Sequence, residues 1–131
     1  MENFSQHPTQ ILLLAFLAIT FLQSGIDKIL DWNGNMGWLK GHFSKTFLKS
    51  LVPMLLAIVL ILECAVGIMG VVGIFEFFSN GQSSTAFSTA VLSCVTLLLL
   101  LFGQRVAKDY DGARTIVIYF VPAIILLFLV Q

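Results

Sequence analysis

Glu63 is the residue most able to do chemistry in this chain. It sits near the middle of a long apolar stretch, between Leu62 and Cys64. An ionisable group in such surroundings is costly to bury and is a functional candidate by default. Gly67 and Gly70 follow it at i+4 and i+7, on the same helical face. Small residues let neighbouring helices approach closely, so Glu63 is expected to face the interior of a bundle. Thr20, Gln23, Ser24 and Asp27 make a matching stripe at i, i+3, i+4 and i+7, and Thr89, Ser93 and Thr96 make another at i, i+4 and i+7. Thr20, Gln23, Glu63, Ser93 and Thr96 fall at similar depth. The expected candidate site is thus a polar seam around one carboxyl group. Such a seam admits three roles: glue between helices, a pocket for a ligand such as a quinone head group, or a path for a proton or ion. One carboxyl group is thin for a pump, which normally needs a relay. Burial without a cationic partner favours the neutral acid, which could donate a hydrogen bond to Gln23 or to a hydroxyl. Lys28 reaching Glu63 from below is the alternative. Otherwise Lys28 carries its ammonium out to the head groups or pairs with Asp31 at i+3.

A second polar cluster runs from Gly103 to Arg114. Arg105, Lys108, Asp109 and Tyr110 are its candidate interface residues, and with Lys28 they form the expected cytoplasmic face. Asp109 and Asp111 can pair with Arg105, Lys108 or Arg114. The segment is either a solvated basic turn or a contact for a partner under the bundle. Other chemistries find no residues to carry them. Cys64 and Cys94 lie apart at mid-span, as small apolar packers, whereas a disulfide oxidoreductase needs reactive thiols at a surface. The two histidines, His7 and His42, lie outside the apolar stretches, so two axial ligands for an intramembrane haem are missing. No catalytic residues, metal cluster or phosphate loop are expected, and no cofactor is held by this chain unless a quinone is.

The elements that must position these residues follow from composition. Of 131 residues 58% are hydrophobic and 11% are charged, and the mean hydropathy is +0.97. Soluble domains are nearer 45–50% apolar and about 25% charged. A soluble enzyme, a disordered tail and a nucleic-acid binder are excluded. A membrane-spanning helix needs about 20 mostly apolar residues, and four stretches qualify: 9–30, 51–77, 86–102 and 115–130. Continuous runs such as Leu97 to Leu101 exclude a barrel, whose strands would alternate. The residues before the first stretch carry no Lys or Arg, unlike a signal peptide, so that stretch is expected to be a retained helix. Lys28, Lys40, Lys45 and Lys49 surround the first loop, and Arg105, Lys108 and Arg114 lie in the third. Basic loops stay cytoplasmic, which predicts both termini outside and loops one and three inside. In loop one, Met36, Leu39, Phe43 and Phe47 recur at helical spacing, with Trp32 and Trp38 nearby. They predict a short amphipathic helix at the inner surface. The expected fold is an all-α integral membrane protein: one four-transmembrane-helix bundle over residues 1–131, with that interfacial helix between its first and second spans.

The same residues resemble the DoxX family of small four-helix membrane proteins. The likeness begins at 21–28, Phe-Leu-Gln-Ser-Gly-Ile-Asp-Lys, similar to the Gly-x-x-Lys that ends the family's first helix. It continues through 35–43, then Glu63 followed by Gly67, Gly70 and Gly73, and ends at 104–113. It covers nearly the whole chain, and the loops are similar to those of members from Bacteroidota-type bacteria. Many members carry an Arg early in the first helix, where this chain has no basic residue before Lys28. The resemblance implies a bacterial inner-membrane protein. Some members are subunits of oxidoreductase assemblies such as thiosulfate:quinone oxidoreductase, others serve complexes that handle oxidative stress, and distant eukaryotic relatives assist receptor assembly.

Three functions are therefore expected to compete. The favoured one is an accessory or scaffold subunit of a redox-linked membrane complex, because little of the chain lies outside the spans to hold a catalytic domain. Its partners would be the lipid bilayer and other membrane subunits or further copies of itself, and not nucleic acid. The second is a quinone-binding oxidoreductase subunit using Glu63, Gln23 and Thr96. The third is a small proton-coupled transporter using Glu63.

Overall fold

Pro8 begins the first long helix, where its fixed φ and missing N–H cost nothing. The computed structural model describes residues 6–131. Among them the elements are α1 (Pro8–Leu30), α2 (Trp32–His42), a 3₁₀ turn (Lys49–Leu51), α3 (Val52–Asn80), α4 (Ser84–Val106) and α5 (Tyr110–Val130), with no strand. α1, α4, α5 and the segment from Lys49 to Asn80 are long and apolar enough to cross a membrane. The chain therefore has the pattern of a multi-pass membrane protein. The helices overrun the apolar stretches at polar ends, α4 by four residues to Val106 and α5 by five back to Tyr110, because backbone hydrogen bonding continues past the last apolar side chain.

Small residues decide how α1 and α3 meet. They run antiparallel, and a Cβ built on Gly25 would lie 2.8 Å from Cys64 Sγ. One on Gly67 would lie 2.5 Å from Leu22 Cγ and 3.1 Å from its backbone nitrogen, and one on Gly70 would lie 3.1 Å from Ala18 Cβ. The helices thus approach backbone to backbone, as small residues permit in a membrane. Leu14, Leu17, Phe21, Val66, Phe77, Leu97 and Leu126 fill the core around this seam. The outward faces are apolar too: Leu12, Ile19, Ile61, Ile68, Phe75 and Phe128 are exposed, which suits lipid contact.

The turns are capped by identifiable groups. Gly81 ends α3 in the left-handed region, φ 70°, and its N–H donates to the Phe77 carbonyl at 3.1 Å. Glu76 reaches across this hairpin: its carboxyl oxygens accept from the Thr85 N–H (3.0 Å), the Thr85 hydroxyl (3.0 Å) and the Ser84 hydroxyl (3.2 Å). It satisfies orphan donors at the start of α4. At the other end, α4 closes in a Schellman pattern. The Asp109 N–H donates to the Gln104 carbonyl, and the Lys108 N–H donates to the Arg105 carbonyl. Lys108 takes the left-handed position there, φ 59°.

Loop one differs from expectation in detail. Asp31 starts α2 by accepting the Gly34 N–H at 3.3 Å, so it acts as a cap and not as the partner of Lys28. α2 stops at His42. The Thr46 hydroxyl donates to the Phe43 carbonyl and accepts the Leu48 N–H, a local alternative to continuing the helix. Phe47 therefore lies beyond α2 and is exposed. The four-residue apolar stripe does not lie on one helix.

Candidate functional site

α1 and α3 bring a cation to Glu63. The side chain of Lys28 leans back along its helix, as helical side chains do. Its Nζ lies 2.7 Å from Glu63 Oε1 and donates to Ser24 Oγ at 2.9 Å. Glu63 is 3% exposed. The partner that reaches Glu63 is thus the Lys28 ammonium, the alternative expectation, and not Gln23. The physical reason is register: Gly25 lies opposite Cys64, which puts the Lys28 stem within one turn of Glu63. Among the described residues no hydrogen bond of good angle reaches Glu63 Oε1, so the contact is a close ion pair with acceptor capacity left over.

An open cavity of about 320 Å³ adjoins this carboxyl group. Thr20, Gln23, Ser24 and Asp27 from α1 line it, with Leu97 and Leu100 from α4 and Ile116 and Tyr119 from α5. The structure thus brings the whole α1 stripe together with Glu63. Ser93 and Thr96 stay apart from it. Both are fully buried, and their hydroxyls donate to the Ala90 and Leu92 carbonyls of their own helix, at 2.9 and 2.8 Å. A hydroxyl in apolar surroundings finds the nearest free carbonyl lone pair. The Thr89 hydroxyl likewise donates to the Thr85 carbonyl. Tyr119 is the lining residue that spacing did not single out. Its signal was a lone phenol within the last apolar span.

The second polar cluster meets loop one. His42 Nε2 lies 2.8 Å from Gln104 Oε1, a hydrogen bond donated by the ring, and 3.7 Å from Asp109 Oδ2. The Trp38 ring stacks on His42 at 4.5 Å. Asp109 also starts α5, accepting the Gly112 N–H at 2.9 Å. Asp109 thus serves as a cap where a pairing with Arg105, Lys108 or Arg114 was expected, whereas Asp111 makes one of the expected pairs, with Arg114 at 2.6 Å. Arg105 lies 5.2 Å from the Tyr110 ring centre, a cation–π contact. Lys108 is exposed. The two basic segments therefore share one end of the bundle.

No family model matches the chain, and no curated protein or solved structure is significantly similar to it.

A buried carboxyl group with spare acceptor capacity, a paired ammonium, and amide, hydroxyl and phenol groups around an open cavity can hold a small polar head by hydrogen bonds. Leu97, Leu100, Phe21 and Ile116 supply apolar walls for a ring. Pockets for small molecules span roughly 300–1,000 Å³ and combine apolar walls with a few placed polar groups. The residues present therefore fit a ring bearing carbonyl or hydroxyl groups. Among the described residues no group of three His, Cys, Asp or Glu side chains converges on a point that could hold a metal ion.

Proposed function

We propose that this chain is an accessory subunit of a redox-linked complex in the bacterial inner membrane, and that it binds a quinone-class ring in the Glu63 cavity. The observation that carries the reading is the Lys28–Glu63 pair at the wall of an open polar cavity inside the spans. Ionisable residues at such depth mark functional sites by default. Gln23, Thr20 and Tyr119 would hold the ring oxygens, with Leu97 and Leu100 against its faces. A bound quinone would supply electron and proton uptake. Thr96, whose hydroxyl is turned onto its own helix, leaves the proposed ligand set. The DoxX resemblance is in keeping with this reading.

In the same reading the basic ends of the bundle face the cytoplasm, both termini face the periplasm, and α2 lies at the inner surface. α5 offers an apolar outer face, including Ile118, Val121 and Ile125, to lipid, to a partner subunit or to a second copy of the chain. The test is solvent extraction of the protein purified in mild detergent from its native membrane. Stoichiometric quinone in the wild type and its loss in Glu63→Ala are expected. Equal quinone in the two proteins, or none in the wild type, would contradict the site.

A further inference from the structure

Hydrogen-bond capacity around the Glu63 cavity is lopsided. Thr20, Ser24 and Tyr119 bring hydroxyls to its wall, and Gln23 brings an amide. Each of these can donate or accept, so they suit a ring carbonyl and a ring hydroxyl alike. The lining groups with one sense only are Glu63 and Asp27. Glu63 is one half of an ion pair, and Asp27 is exposed at the mouth. As carboxylates both accept and neither donates. Neither is saturated. A carboxylate has about four lone-pair sites, and Glu63 Oε1 still lacks a well-angled donor. The Asp27 carboxylate meets no cation and no hydrogen-bond donor among the described residues. No group of the opposite sense balances them, because among the described residues no Lys, Arg or Trp lines this cavity. Lys28 is directed at Glu63 and Ser24 and is not part of the wall.

We propose that the cavity selects the reduced form of its ring, the quinol, over the oxidised quinone. The inference rests on the quinone-class reading and adds the redox state to it. A quinol brings O–H groups, which donate to carboxylates. A quinone brings carbonyls, which only accept. Beside Glu63 or Asp27 its lone pairs face lone pairs, and the protein acceptors stay unfilled. A buried acceptor left unfilled carries a free-energy cost that a donor removes. The hydroxyls and the Gln23 amide serve both forms, so the carboxylates decide between them. Quinone takes up two electrons and two protons to become quinol. A site that binds the quinol tenfold more tightly therefore raises the midpoint potential of the bound couple by about 30 mV. The chain would then be the quinol-holding subunit of its complex.

Duroquinone, durohydroquinone and the dimethyl ether of durohydroquinone share one ring and differ only at its oxygens. Each is titrated anaerobically into nanodisc-held protein, with empty nanodiscs as the control for partition into lipid. Durohydroquinone is expected to bind saturably and about tenfold or more tightly than the other two, the weight of one hydrogen bond to a charged acceptor. Asp27→Asn, at an exposed position, should keep the fold and narrow the difference, because an amide both donates and accepts. Glu63→Gln should narrow it further. Should that variant melt early, the wild type and Asp27→Asn decide the matter. Saturable and equal binding of duroquinone and durohydroquinone would overturn this inference and leave the quinone-class reading standing. So would tighter binding of duroquinone, equal binding of the ether, or an undiminished preference in Asp27→Asn. Saturable binding of none of the three would overturn both.

Discussion

Lys28 and Glu63 form a charge pair that neither residue could sustain alone at this depth. Taking a charge out of water costs several kcal/mol, and a close partner offsets much of it. Removing one member leaves the other buried and uncompensated. Lys28→Met or Glu63→Leu alone should therefore destabilise the bundle by roughly 3–5 kcal/mol, whereas the double substitution should recover most of the loss. Reversible unfolding in detergent, run as a double-mutant cycle, measures this. Additive losses would mean that the two side chains do not interact. The importance of Glu63 was legible from its position in an apolar run, and so was the α1 stripe from its spacing. The pairing of Glu63 with Lys28 stood only as the alternative, because a lysine at that position ordinarily extends to the head groups. Which way that stem turns depends on the register of α1 against α3, a tertiary property that spacing within one helix does not encode. The hydroxyls of Ser93 and Thr96 misled for the opposite reason. Their spacing matched a seam, but a hydroxyl always has its own helix as a competing acceptor.

α1 and α3 owe their close approach to glycines whose roles differ sharply from those in α2. A Cβ on Gly67 would meet the backbone nitrogen of Leu22 at 3.1 Å, and backbone yields little. Gly67→Ala should therefore cost about 1–3 kcal/mol as overpacking. A Cβ on Gly37 meets nothing within 4 Å. Gly37→Ala in α2 should stabilise by roughly 0.5–1 kcal/mol, because glycine is a poor helix former. Thermal melting of the two variants side by side checks the assignment, and equal effects would refute it. The four spans were legible from hydropathy and length. The extent of α2 was less so: periodicity carried the stripe on to Phe47, but Thr46 closes a local turn first. The Glu76 cap on α4 was hidden for a similar reason. A carboxyl group nine residues before the N–H it accepts has no short-range signature until the hairpin is formed.

At the scale of the whole molecule, the alternation of long helices brings both basic segments to one end, joined by His42 and Gln104. Basic loops stay cytoplasmic, so Ser44→Cys should react with an impermeant thiol reagent only after inner membranes are inverted. Gln82→Cys in the α3–α4 turn should react from the outside. The opposite pattern would reverse the proposed orientation. The end-to-end arrangement also places a polar cavity within the spans, beside the Glu63 carboxyl group. The most direct test of the ligand claim is a titration of a short-chain quinone into nanodisc-held wild type and Gln23→Leu, with melting temperatures recorded in parallel. Gln23 is exposed to the cavity and spared from the core, so its replacement should leave the fold intact. Saturable binding by the wild type, weakened about tenfold by loss of one hydrogen bond worth roughly 1–1.5 kcal/mol, is predicted. Unsaturable partitioning, or equal affinity in two equally stable proteins, would contradict it.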